Sequence, residues 1–281
     1  MVSAEAVAAA VVKSLGYDLG DVVGSGSYKY TFRIERDGDV KALKLYNRSG
    51  VTARSLREIE AMRRCDHPNI AKLMGLDAVV VDGAEFTYLL EEYLEGGTLS
   101  ARVGRLQRED LCSIAVSLSD ALCHLTDLRL VHRDLKPDNV MFRDVTCSSP
   151  VIVDFGLVRD LGDTSLTATW LEQGPGSPFF SAPEQLNNEK GLIDWRTDQF
   201  GLGVTLAIAY YGDHPYRAHG RETNDAVLNR VASKARVPTA FTKRCSDDRL
   251  DVLSRMIQPF PVQRFTRPSM LLDAWRKAAT S

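Results

Sequence analysis

The chain has 281 residues, 44% of them hydrophobic and 26% charged. This is the make-up of an ordinary soluble globular protein, long enough for one large domain or a close pair of lobes. A formal net charge of −2 gives no electrostatic reason to expect a nucleic acid or an anionic membrane as partner. The five cysteines (Cys65, Cys112, Cys123, Cys147, Cys245) are scattered, odd in number and without a CxxC pair. That spacing argues against a zinc site and for reduced thiols in a cytoplasmic protein.

The opening MVSAEAVAAAVVKSLG lacks a basic flank and an apolar run long enough to span a bilayer, so it reads as neither a signal peptide nor an anchor. It reads as a short Ala/Val helix ending at Gly16, whose apolar residues pack on the domain or dock a partner. From Tyr17 the pattern changes to short strands. LGDVVGSGSYKYTFRIE alternates like a hairpin with Gly24 and Gly26 at its tip, and glycine lets backbone N–H groups approach phosphate oxygens. Taken alone, a simple β-turn accounts for such a pair. In VKALKLY, alternation puts Ala42 and Lys44 on one face of a strand. SLREIEAMRRCDHPNI reads as a helix with Ile59 and Met62 on its inner stripe, stopped at His67–Pro68. A strand at 70–74, then AVVVD and FTYLLEEYLEGGTL, complete a β-rich first third.

Leu111–Leu125 carries apolar residues at helical spacing. It leads into LVHRDLKPDNVMFRDVTCSSPVIVDFG, residues 130–156, where a knot of charge at His132, Arg133, Asp134, Lys136, Asp138 and Asn139 is followed by strands at 140–142 and 151–153. Charges set between buried ribbons are costly unless paired or used. HRDLKPDN followed by DFG, a short hairpin apart, resembles the catalytic and metal-binding loops of the eukaryotic-like (Hanks-type) serine/threonine protein kinases. The resemblance runs from about Tyr17 to Ala278.

The resemblance implies an α+β, bilobal fold: a small lobe of five antiparallel strands with one helix, and a larger, mostly helical lobe, with ATP and Mg²⁺ bound between them. It divides the chain into a helical extension at 1–16, an N-terminal lobe and hinge at 17–95, and a C-terminal lobe at 96–281. Gly24 and Gly26 would cover the phosphates, although Lys29 and Thr31 stand where the family has a third glycine and a valine. Ala42, Lys44, Glu92, Leu94 and Met141 would line the nucleotide, with Lys44 paired to Glu58 and Glu60 facing elsewhere. Glu91 falls behind the base, with Lys41 or Lys44 as counter-charge. A shift of one residue puts Leu90 there instead and turns Glu91 to solvent; the first register is favoured.

Asp134 would be the catalytic base, Asn139 and Asp154 the Mg²⁺ ligands, and His132 a brace for the DFG phenylalanine. Lys136, two residues after the base, and Ser177 in GPGSPFFSAPEQL imply Ser/Thr rather than Tyr acceptors on protein substrates. Glu184 would pair with Arg264, and Asp198 would hold the catalytic-loop backbone. Arg57, Arg133 and Arg159 stand where related enzymes gather guanidiniums around an activating phosphate, for which Thr164, Ser165, Thr167 and Thr169 are the candidate acceptors. Two rival readings remain: a pseudokinase scaffold, and a phosphotransferase acting on a non-protein substrate. Further helices are expected at 224–233, 246–257 and 268–277.

Overall fold

The computed structural model describes residues 2–25, 29–46, 53–155, 159–160 and 177–280, without the side chains of 53–58 and 159–160. Two compact units result: residues 1–66 with 71–94, and residues 67–70 with 95–281.

The first unit is built on one antiparallel sheet of five strands in the order β1-β2-β3-β5-β4: β1 Asp18–Ser25, β2 Lys29–Arg36, β3 Asp39–Tyr46, β4 Leu73–Val81 and β5 Ala84–Glu92. Its residues alternate between faces. Phe32, Ile34, Leu43, Leu45 and Tyr88 fill a core with Val7, Ala8, Val11 and Val12 of helix α1, Ala4–Leu15. The N-terminal helix therefore packs on the domain, the first of the two roles open to it.

Local chemistry sets the limits of α1. Ser3 Oγ accepts from the Ala6 amide at 3.2 Å at one end, and Gly16 at φ 70° closes the other, a left-handed cap that glycine adopts without penalty. Arg36 donates to the Leu15 carbonyl at 3.1 Å. Tyr17, next in the chain, donates its hydroxyl to Asp39 and accepts from Lys41 Nζ at 2.6 Å. Helix α2 spans Ala53–Arg64, with Ile59, Ala61 and Met62 buried. β4 begins at Leu73 rather than at 70, because Ile70 belongs to the second unit, where it forms an isolated parallel bridge with Ile152.

The second unit is mostly helical. α3 (Arg108–Asp127) starts on a reciprocal capping box between Gln107 and Asp110 and buries Leu111, Ile114, Ala115, Leu118 and Leu122. Two short hairpin strands, β7 Val140–Phe142 and β8 Pro150–Ile152, pair antiparallel, as do β6 Leu130–Val131 and β9 Arg159–Asp160. α4 (Pro183–Leu186) precedes α5 (Trp195–Tyr211), whose residues 197–207 are all buried. Such an all-round burial marks a central helix. Gly203 of α5 is required there, since an added Cβ would lie 2.7 Å from Ile257 Cγ2.

The remaining helices are α6 Asn224–Ala232, α7 Thr239–Asp247, α8 Asp251–Met256 and α9 Pro268–Ala279. The single helix expected at 246–257 is thus two. Arg249 takes a left-handed φ of 58°, which no α-helix interior accommodates, and the chain turns there so that Leu250 and Leu253 are both fully buried. Among the described residues, no helix is long and apolar enough to cross a membrane, and all five cysteines are free.

Candidate active site

In the second unit, the loop at 132–139 hangs from one buried carboxylate. Asp198 on α5 accepts from the backbone amides of His132 and Arg133, both at 2.7 Å. Burial pushes its carboxyl above the usual range, while the nearby His132 and the two amides pull it back down. Gln185 Nε2 donates to the Arg133 carbonyl at 2.7 Å, so both sides of that residue are tied. Arg133 sits at φ 69°, a strained conformation for a non-glycine residue. His132 is fully buried, its Nε2 lies 3.2 Å from the Val153 carbonyl, and its ring meets Phe155 edge-on at 5.0 Å. It braces the DFG phenylalanine, as expected.

The polar knot then converges on Asp134. Its Oδ2 accepts from Lys136 Nζ at 3.0 Å and from Asn139 Nδ2 at 3.0 Å, and its Oδ1 accepts from the Ser177 amide at 3.0 Å. Lys136 Nζ also donates to Ser177 Oγ at 2.8 Å. Asn139 Nδ2 further donates to the Asp134 carbonyl at 2.8 Å, so its amide nitrogen is spent on the loop. The side-chain oxygen is the end a hard cation would take. The Val153 amide donates to the Asn139 carbonyl at 3.0 Å, tying the end of β8 to that residue. Asp154 follows at φ 65°, the second strained non-glycine position of the loop pair. These donors are hard oxygens held on ordered backbone, and they suit Mg²⁺.

Two supports flank this centre. Arg264 and Glu184 form a bidentate pair at 2.6 and 2.9 Å with both side chains fully buried. Gly96 is pinned to β7: its amide donates to the Phe142 carbonyl at 3.0 Å, and a Cβ there would meet the Asp144 carbonyl oxygen at 2.1 Å. Met141 forms a bridge with Thr98.

In the first unit, Lys44 and Glu91 form a buried ion pair at 2.6 Å. β3 pairs with β5 so that Ala42 faces Glu91 and Lys44 faces Leu89. Glu91 is 2% exposed, whereas Leu90 is only partly buried and packs on the opposite, α1-covered face. The favoured register holds, and of the two possible counter-charges it is Lys44. Glu92 Oε1 accepts from the Lys72 amide at 3.0 Å, and Leu94 is buried. Gly24 lies opposite Thr31 near the end of β1.

Several expectations fall outside the described residues: Gly26, the side chains of Arg57, Glu58 and Arg159, and residues 161–176 with Thr164, Ser165, Thr167 and Thr169. Sequence reasoning missed Gln185. Its only signal was a buried-helix position directly after Glu184, with no charge to mark it.

The chain belongs to the protein kinase domain family, whose pattern matches residues 17–276. It is 29% identical over 264 residues to calcium-dependent protein kinase 5 of Plasmodium falciparum, covering 91% of this chain and 44% of that protein. It is 29% identical to a probable myosin light chain kinase of Dictyostelium discoideum, covering 93% of this chain and 81% of the relative. The calcium/calmodulin-dependent protein kinase type 1 of Caenorhabditis briggsae is 28% identical over 277 residues, covering 94% and 74%. The architecture is the bilobal protein-kinase fold, with the five-stranded antiparallel sheet and the helical unit described above.

Proposed function

We propose that the protein is an ATP- and Mg²⁺-dependent serine/threonine protein kinase. The observation that carries this reading is the set Asp134, Lys136, Asn139 and Ser177, joined by bonds of 2.8–3.0 Å. A carboxylate so held is a hydrogen-bond acceptor aimed by its neighbours rather than by chance rotamers. In the proposed reaction, Asp134 accepts the hydroxyl proton of the substrate while the hydroxyl oxygen bonds to the γ-phosphorus and the bond to the β-phosphate oxygen breaks. Lys136 offsets charge at that oxygen. The Lys136–Ser177 link supports a Ser/Thr acceptor, and two relatives, 27% identical to this chain, bear the name serine/threonine-protein kinase.

Asn139, through its side-chain oxygen, and Asp154 would hold Mg²⁺, which when bound neutralises charge on the phosphates. Lys44 would contact the phosphates, and Ala42, Glu92, Leu94, Met141, Gly24 and Gly26 the rest of the nucleotide. Regulation by phosphorylation among Thr164, Ser165, Thr167 and Thr169, read by Arg57, Arg133 and Arg159, belongs to the same proposal, as does a cytoplasmic workplace.

The test is incubation of the purified protein with Mg²⁺–ATP and a mixed peptide pool, followed by mass spectrometry of peptides and protein, alongside Asp134→Asn. Phosphate on Ser or Thr in the wild type alone supports the reading. Wild-type turnover equal to that of Asp134→Asn makes the chain a scaffold, and ATP consumption without peptide or self-phosphorylation makes it a phosphotransferase on another substrate class. Phosphopeptide mapping of fully active enzyme that finds residues 161–176 unmodified removes the regulatory part.

A further inference from the structure

We propose that Glu91 is a positioning residue of Lys44, so that the sheet itself aims the ammonium at the nucleotide phosphates. This deepens the kinase reading above and rests on it. Glu91 and Lys44 are 2% and 8% exposed, and Glu91 Oε2 lies 2.6 Å from Nζ. They meet diagonally across neighbouring strands, two steps apart in the register, because Glu91 stands opposite Ala42 and Lys44 opposite Leu89. The small side chain of Ala42 leaves the space through which they join.

Lysine carries three ammonium donors on a stem with four rotatable bonds. One donor directed at a carboxylate on the adjacent strand removes most of that rotational freedom, and two remain for phosphate oxygens. The other lysine of β3, Lys41, is engaged elsewhere, by Tyr17 and Asp39.

The pair is not explained by stability. Glu91 Oε1 is buried and, among the described residues, has no hydrogen-bond partner. A buried carboxylate with one oxygen unsatisfied is costly, and an apolar side chain of similar volume fills such a site with less penalty. What the carboxylate does supply is a fixed anchor for Nζ that an apolar residue lacks.

Three readouts test this on the full chain: labelling of Lys44 by an N-hydroxysuccinimide ester quantified by mass spectrometry with the other lysines as internal standards, Mg²⁺–ATP affinity by calorimetry, and steady-state kinetics. Glu91→Gln, which keeps the shape and loses the charge, is expected to raise Lys44 labelling about fivefold or more and weaken Mg²⁺–ATP binding about tenfold, with the effect in KM and kcat changed less than about threefold. Glu91→Met is the second variant should Glu91→Gln melt early. Glu58→Gln, run alongside, is expected to move labelling less. Unchanged labelling and affinity in a folded Glu91 variant, or a larger effect from Glu58→Gln, overturns the proposal. A wild type that binds Mg²⁺–ATP but transfers no phosphate removes the kinase reading and leaves this one standing, because labelling reports Lys44 directly.

Discussion

Replacing Arg264 with methionine removes a guanidinium whose five N–H groups are all spent. Nε donates to the Gln258 carbonyl at 2.8 Å, Nη1 to Glu184 and to the Arg196 carbonyl at 2.6 and 2.9 Å, and Nη2 to Glu184 and the Pro259 carbonyl at 2.9 and 3.2 Å. Glu184 would be left fully buried with, among the described residues, only Thr197 Oγ1, at 3.1 Å, still donating to its carboxylate. Breaking a buried pair by removing one partner costs about 3–5 kcal/mol, and at about 2–4 °C per kcal/mol for a unit of this size the midpoint should fall by roughly 10 °C. The assay is thermal unfolding followed by circular dichroism. The double variant Glu184→Met/Arg264→Met completes the cycle: it should recover at least about 1–2 kcal/mol over Arg264→Met, because no charge is left stranded, though three carbonyls still lose their donor. A fall of less than about 2 °C in the single variant, or a double variant no more stable than the single, would refute the argument.

His214 is 3% exposed, its Nε2 lies 3.0 Å from the Phe179 carbonyl and its Nδ1 accepts from the Tyr216 amide at 3.1 Å; burial holds its pKa down at about 4. Because the folded value lies below the usual 6.5, its contribution is complete above pH 6.5 and is lost as pH falls toward 4. That amounts to about 3 kcal/mol, so His214→Gln should flatten the stability–pH curve in this window; curves that stay parallel would count against it. Val11 of α1 is 0% exposed, and Val11→Asp should cost at least about 3 kcal/mol by burying an unpaired charge, measured as an early melting step or as aggregation. Ser177→Ala removes the hydroxyl bonded to Lys136 but not the backbone bond to Asp134. It should leave the melting temperature within about 2 °C and lower kcat on Ser/Thr peptides by about tenfold or more, so unchanged kinetics would detach Ser177 from the reaction.

What could be read from the sequence was whatever depends on short-range order. Ser3 and Gly16 bound α1 because a hydroxyl and a missing Cβ act within one turn. The strand at 140–142, the strand read at 151–153 and found one residue earlier at 150–152, and the roles of His132, Asp198 and the Glu184–Arg264 pair were legible because motifs at fixed spacing place them. The break at Arg249 was not, since Ser246 and the acids after it mimic a helix start, and only the burial of both Leu250 and Leu253 forces the turn.

Glu91 shows the limit most clearly. Alternation along β3 places Lys41 and Lys44 on opposite faces, but the sequence alone does not say which face looks toward Glu91. That depends on β5 lying beside β3 in a register with Ala42 opposite Glu91, and on α1 covering the other face, where Leu90 packs. Pairing across strands distant in sequence is a property of the assembled sheet. The sequence by itself therefore determined the polar loop at 132–139 and the caps of α1. The tertiary structure decided which charges meet inside the sheet, because only the fold brings residues 44 and 91 within 2.6 Å.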